Sequence, residues 1–128
     1  MSGQDTGLDL AVRPGSSRFD TDDERWTAHE LELFGELRRE VGGVRRDLTP
    51  APGEKGMVET IVVALASAGT FNAALQCLQA WLTRDRTRSI ELSCHAGEQT
   101  ETIVLKGTEV DQEMIDRFTA SVLNRLER

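Results

Sequence analysis

The chain has 128 residues, of which 38% are hydrophobic and 29% charged, so it is long enough for one core and too apolar to be disordered throughout. Its 22 acids against 15 bases leave a formal net charge of −7, which argues against a partner held by its phosphate backbone, since that needs a concentrated basic surface. Two cysteines, Cys77 and Cys94, are too few for a disulfide framework and read as free thiols of a reducing, cytoplasmic protein.

The opening "MSGQDTGLDLAVRPG" has an acid where a signal peptide carries its basic region, and no apolar run follows, so secretion is not expected. "GLDLAVRP" then alternates Leu8, Leu10 and Val12 with Asp9, Ala11 and Arg13, the period of a strand that Pro14 and Gly15 should end. The polar stretch after it gathers Asp20, Asp22, Asp23 and Glu24, with Glu30 farther on, but lacks the glycine and terminal glutamate of a calcium loop. Thr27 and Glu30 fit a capping box, and Trp26, Leu31, Leu33, Phe34, Leu37 and Val41 recur at helical spacing, which predicts a helix from about Thr27 to Glu40 closed by Gly42 and Gly43. "VRRDLTP" offers one apolar face, Val44, Arg46 and Leu48 opposing Arg45 and Asp47, and reads as a short strand at a sheet edge.

A Pro/Gly loop, "PAPGEKG", comes next; it lacks the G-x-x-x-x-G-K-[ST] spacing of a phosphate-binding loop. From Ile61 to Leu82 no residue is charged, a length that would span a bilayer as a helix. Asn72, Gln76 and Gln79, however, make a polar stripe opposite Phe71, Leu75, Leu78 and Leu82, the pattern of a helix with one wet side. We therefore expect residues 57 to 82 to form one long soluble helix, or two in tandem, with a kink, break or close backbone contact at Gly69.

Arg84, Arg86 and Arg88 follow, where cations complement the negative end of a helix dipole. "SIELSCHA" and "ETIVLKG", joined by "GEQT", form a hairpin by pattern, with Ile90, Leu92 and Cys94 inward. A last helix should begin near Thr108 and Asp111 and carry Val110, Met114, Ile115, Phe118, Val122, Leu123 and Leu126 on its apolar side. The order β-α-β-α-β-β-α suits an α/β two-layer sandwich with a small mixed sheet and a long, small-residue-rich central helix. One domain should span 1–128, with 1–6 and 14–24 flexible.

No catalytic constellation stands out. Cys94 and His95 are neighbours in a strand and should point to opposite faces, so they make a poor nucleophile and base. Two cysteines without C-x-x-C and two distant histidines, His29 and His95, do not make a zinc site. Carboxylate pairs such as Glu30 with Glu32 or Asp20 with Asp22 fall where a solvated surface would put them. No catalytic, cofactor-binding or metal residue is assigned.

The stretch "APGEKGMVETIVVALASAGTFNAALQCLQAWLTRDRTRSIELSC", preceded by "FGELRREVGGVRRDLTPAPGE", resembles the effector-associated constant component family of actinobacterial conflict systems, over roughly residues 8 to 126. The resemblance implies a small, cytoplasmic, non-enzymatic coupling or regulatory part, encoded beside effectors such as caspase-like or trypsin-like proteases and serving defence against phage or other invaders. Partner binding or self-association is expected through Ala66, Gly69, Phe71, Leu75, Leu78 and Trp81 of the 57 to 82 helix, giving a homo-oligomer or a complex with a protease-type effector. Two other readings are a metal-dependent hydrolase using the acidic loop 20–24 and a membrane-anchored sensor using 61–82.

Overall fold

The computed structural model describes residues 8–20, 23–50, 57–96, 99–109 and 111–126. Five strands and three helices follow in the order β1 (Leu8–Ser16), α1 (Glu24–Val41), β2 (Val44–Pro50), β3 (Met57–Leu65), α2 (Ala68–Thr83), β4 (Arg88–Ala96), β5 (Gln99–Lys106) and α3 (Gln112–Leu126). The strands make one sheet in the order β2-β3-β1-β4-β5, antiparallel at every pairing. The α/β sandwich and the succession of its elements are those expected, with two corrections: the sheet is antiparallel rather than mixed, and one strand more precedes the second helix.

That strand is β3. Residues 57–65 were expected to begin a long helix, but they pair with β1 from Leu8↔Leu65 to Val12↔Ile61 and with β2 from Val44↔Val63 to Pro50↔Met57. A run of Thr60, Ile61, Val62 and Val63 is rich in β-branched side chains, which pack well on a pleated surface and lose rotamer freedom in a helix. Two neighbours also supply the hydrogen bonds that a strand between them requires. The helix starts only after Ser67, whose hydroxyl accepts from the Thr70 amide at 3.2 Å, so the "ASAGT" segment is an N-terminal cap rather than a kink.

The other boundaries move by a few residues for similar reasons. Helix α1 begins at Glu24 because Asp23, not Thr27, is its cap: the Asp23 carboxylate accepts from the Arg25 amide at 2.8 Å. Thr27 lies within the first turns. Gly42 ends the helix at φ 83°, and its amide donates to the Arg38 carbonyl. Strand β1 runs through Pro14 and Gly15 instead of stopping there; its pairing with β3 ends at Val12, so Pro14 is flanked only by β4, and a residue without an N–H is tolerated. Asp111 caps α3 by accepting from the Met114 amide at 3.1 Å, so Thr108 lies before the helix. The "GEQT" turn at Gly97 and Glu98, the "PGEKG" loop within 51–56, Asp22 and Val110 lie outside the described residues.

Strand alternation sorts the core. Leu8, Leu10 and Val12, Ile61, Val63 and Leu65, and Ile90, Leu92 and Cys94 share one face of the sheet, all buried. Trp26, Leu33 and Leu37 of α1, six residues of α2, and Ile115, Phe118 and Val122 of α3 close over that face in one continuous cluster. The three helices therefore cover one side of the sheet, and no helix or strand among the described residues lies over the other.

Candidate functional site

The helix face expected to meet a partner is spent inside the chain. Phe71, Leu78 and Trp81 are fully buried and Leu75 is half-buried, whereas Ala66 and Gly69 are exposed near the start of α2. The Phe71 ring lies 6.2 Å from that of Phe118 on α3, and the indole of Trp81 lies 6.1 Å from that of Trp26 on α1. These six residues do not converge on a shared surface. Asn72 and Gln76 face water and Gln79 is half-buried, so the amide stripe is the wet side, as its spacing indicated. No helix among the described residues is long and apolar enough to cross a membrane, and the uncharged 61–82 run is divided between β3 and α2.

A cluster that the sequence reading left among surface arginines lies where α2 meets β4. Arg88 is buried, and its guanidinium donates through Nη1 to the Trp81 carbonyl at 2.7 Å and through Nη2 to Nδ1 of His29 at 2.8 Å. Its carbon centre sits 4.2 Å above the Trp81 ring. An arginine can only donate, so Nδ1 of His29 holds a lone pair there and the ring's proton is on Nε2. Phe19 stacks on His29 at 5.4 Å. Burial lowers the Arg88 pKa from its ordinary value, opposed by Asp85 and Glu32, whose carboxylate lies 3.9 Å from Nη2. The expected complement to the helix dipole is thus real, made by Arg88 at the last turn of α2. A signal was available: Arg88 has the parity of Ile90, Leu92 and Cys94, the inward set of its strand. Arg84 instead clamps α1, donating through Nη1 to Glu36 at 2.9 Å and through Nη2 to the same carboxylate, with Glu32 at 3.4 Å.

Among the described residues, Cys94 and His95 do not form a nucleophile and base pair. Cys94 is buried while His95 is exposed on the opposite face and hydrogen-bonds Thr100 at 3.0 Å. Burial pushes the Cys77 thiol up to about 11, with Glu36 and Glu40 adding to it, and raises Cys94 in the same direction. Both are weak nucleophiles at neutral pH. Among the described residues, no three His, Cys, Asp or Glu side chains stand close enough to hold a metal. In the acidic segment, Asp23 is committed to Arg25 by an ion pair at 2.9 Å, which with the cap holds its carboxyl below the usual range.

What remains open is the sheet's second face. Arg45, Val62, Ala11, Ser93 and Thr102 lie in register across all five strands there, beside the row Ala64, Asp9, His95 and Thr100. Its polar groups are paired sideways: Arg13 with Glu91 at 3.7 Å, Arg45 with Asp9 at 3.9 Å, and Ser93 with Thr102 at 3.0 Å. Small side chains lie between them. Val104, 46% exposed, stands on the same face at the β5 margin, and among the described residues no strand pairs with the outer edge of β2 or β5. Strand β5 reads "QTETIVLK", without the proline and paired arginines that blunt β2.

No curated protein and no solved structure matches the chain. A family model does, over residues 20–123, from the approach to α1 through most of α3 and so across the helical layer and four of the five strands. With that span matched, the chain belongs to the family described as Effector Associated Constant Component 1.

Proposed function

We propose that this protein is a non-enzymatic interaction and regulatory module of a bacterial conflict system, working in the cytoplasm and docking an effector, such as a caspase-like or trypsin-like protease, on the bare face of its sheet. The observation that carries this is the one-sided architecture: three helices close one face, and the other presents small and laterally paired side chains with no layer over them among the described residues. Such a face is already desolvated in part, since Val62 within it is only 7% exposed. The unblunted β5 edge favours a second contact, self-association by strand pairing, within the same assembly.

The test is co-purification of the full chain with the effector encoded beside it, together with light scattering at several concentrations. Ala64→Arg and Thr102→Arg, both exposed on the bare face, should lose the effector; Gln76→Arg, on the wet side of α2, should retain it. Retention by both bare-face variants, or loss in Gln76→Arg alone, would overturn the assignment of the surface. Failure of every form to retain the effector would overturn the docking function.

A further inference from the structure

At one end of the bare face, where the close of β1, the start of β4 and the end of β5 meet, lies an open cavity of about 330 Å³. That volume is at the lower end of small-ligand pockets, roughly 300 Å³ and upward. Ser89 and Lys106 are cross-strand partners on this face, and Gly15 lies opposite Ser89 on the other side. A Cβ at residue 15 would come within 2.8 Å of Oγ of Ser89, so the glycine is what lets that hydroxyl sit in the cavity.

The walls are self-sufficient. Ser16 Oγ accepts from the amides of Arg18 at 3.0 Å and Phe19 at 3.3 Å, and lies 3.4 Å from the Thr87 hydroxyl, which donates to Asp85 at 2.8 Å. The Ser17 amide donates to the Thr87 carbonyl at 2.9 Å. These bonds fix the frame and leave other donors over. Arg86, Lys106, Ser17, Ser89 and Thr108 line the same cavity, and among the described residues none of their side chains has a hydrogen-bond or ion-pair partner.

Charge makes the lining unusual for this chain. Acids outnumber bases 22 to 15, yet among the described residues no carboxylate lines the cavity, and of its three lining cations Arg86 and Lys106 have no carboxylate partner. The nearby Asp85 is already engaged: bonds from the amide and hydroxyl of Thr87 hold its carboxyl below the usual range. The third arginine of the segment, Arg88, turns its guanidinium away into the core. Two cations and three hydroxyls, from strands β4 and β5 and from the turns after β1, before β4 and after β5, supply donors from several directions, which suits a tetrahedral dianion better than a planar carboxylate.

We propose that this cavity binds a phosphate group, free or as a monoester, with Arg86 and Lys106 supplying charge and Ser17, Ser89 and Thr108 supplying hydroxyl donors. The site does not depend on effector docking, and either can fail alone. Calorimetric titration of the full chain at low ionic strength, with inorganic phosphate and separately with O-phosphoserine, tests it. One saturable site is expected, weakened by about tenfold or more in Lys106→Met and in Arg86→Met, as loss of one charge-assisted contact predicts, and by less in Ser89→Ala. Arg39→Met, an exposed arginine of α1, should bind as the parent does. Tighter binding of phosphoserine would identify a monoester, and equal binding free phosphate. Absence of saturable binding to either, or undiminished binding by both cation variants, would overturn the site. Arg86 lies in the exposed turn before β4, so the result does not rest on Lys106→Met keeping the sheet intact.

Discussion

Arg88 is the residue on which most of this fold's polar chemistry converges. Its guanidinium satisfies a carbonyl at the end of α2, fixes the tautomer of His29 on α1 and roofs the Trp81 indole, so one side chain ties two helices to the first residue of β4. Its Nε and the Trp81 Nε1 are buried with no partner among the described residues, a cost that the two short bonds offset. Arg88→Met keeps an unbranched apolar stem while removing the fork; it leaves His29 Nδ1 without its donor and the Trp81 carbonyl with only the Arg84 amide, at 3.3 Å. Loss of buried bonds to a charged group costs about 2 kcal/mol or more. Urea unfolding should show that loss, and Arg88→Lys should recover only part of it, because a single ammonium does not reproduce the fork. A midpoint for Arg88→Met equal to that of the parent would mean that burial of the charge consumes all that its contacts return.

Between elements, the charged contact that joins α1 to α2 is Arg84 with Glu36. The Arg84 bond holds the Glu36 carboxyl below its ordinary range. A carboxyl depressed by folding stabilises the native state wherever it is ionised in both states, and that contribution drains as pH falls below its ordinary value and through its native one. Wild type should therefore lose stability as pH falls from the ordinary carboxyl range into strongly acid pH, with Asp23 and Asp85 contributing in the same direction. Glu36→Gln should begin less stable at pH 7, by no more than about 1 kcal/mol for a pair at the surface of two helices, and lose less on acidification. Urea midpoints along a pH series read the difference; identical slopes for both proteins would show that the clamp contributes nothing. The sequence carried such pairings only in part. Helix α1, the β4–β5 hairpin and the stripe of α3 were legible because one apolar period ran unbroken in each. Strand β3 was not, because Ile61, Val62 and Val63 are buried on both faces, so the alternation that marks a half-buried strand disappears and an uncharged run remains. The burial of three residues expected to meet a partner was hidden for a related reason: apolar spacing on α2 shows that Phe71, Leu78 and Trp81 are buried, but not that α1, α3 and the sheet are what bury them. The phosphate cavity had no local pattern at all, since Ser17, Arg86 and Lys106 meet only through the pairings of β1, β4 and β5.

At the scale of the molecule, one sheet face and three helices make one core, and the two cysteines sample it from different places. Cys77 lies on α2 towards α1, beside a cleft lined by Glu36, Glu40 and Gln76, whereas Cys94 is in β4, at the register position of Glu101, whose carboxylate accepts from Ser121 of α3. Burial raises both thiols, Cys77 to about 11, so both stay largely protonated at neutral pH and react faster once opened to water. Continuity of the cluster from Trp26 to Val122 implies that neither half can open alone. In urea, a thiol reagent at neutral pH should therefore label Cys77→Ser and Cys94→Ser variants, each with one remaining cysteine, along the same unfolding transition after correction for the small stability change of each substitution. Labelling of Cys77 at a clearly lower urea concentration would show that α1 and α2 lift from the sheet as a separate unit. The helical layer would then be a movable cover over the sheet. Coincident labelling would show that the helices and the sheet unfold as one unit, with the helical layer a permanent part of the core.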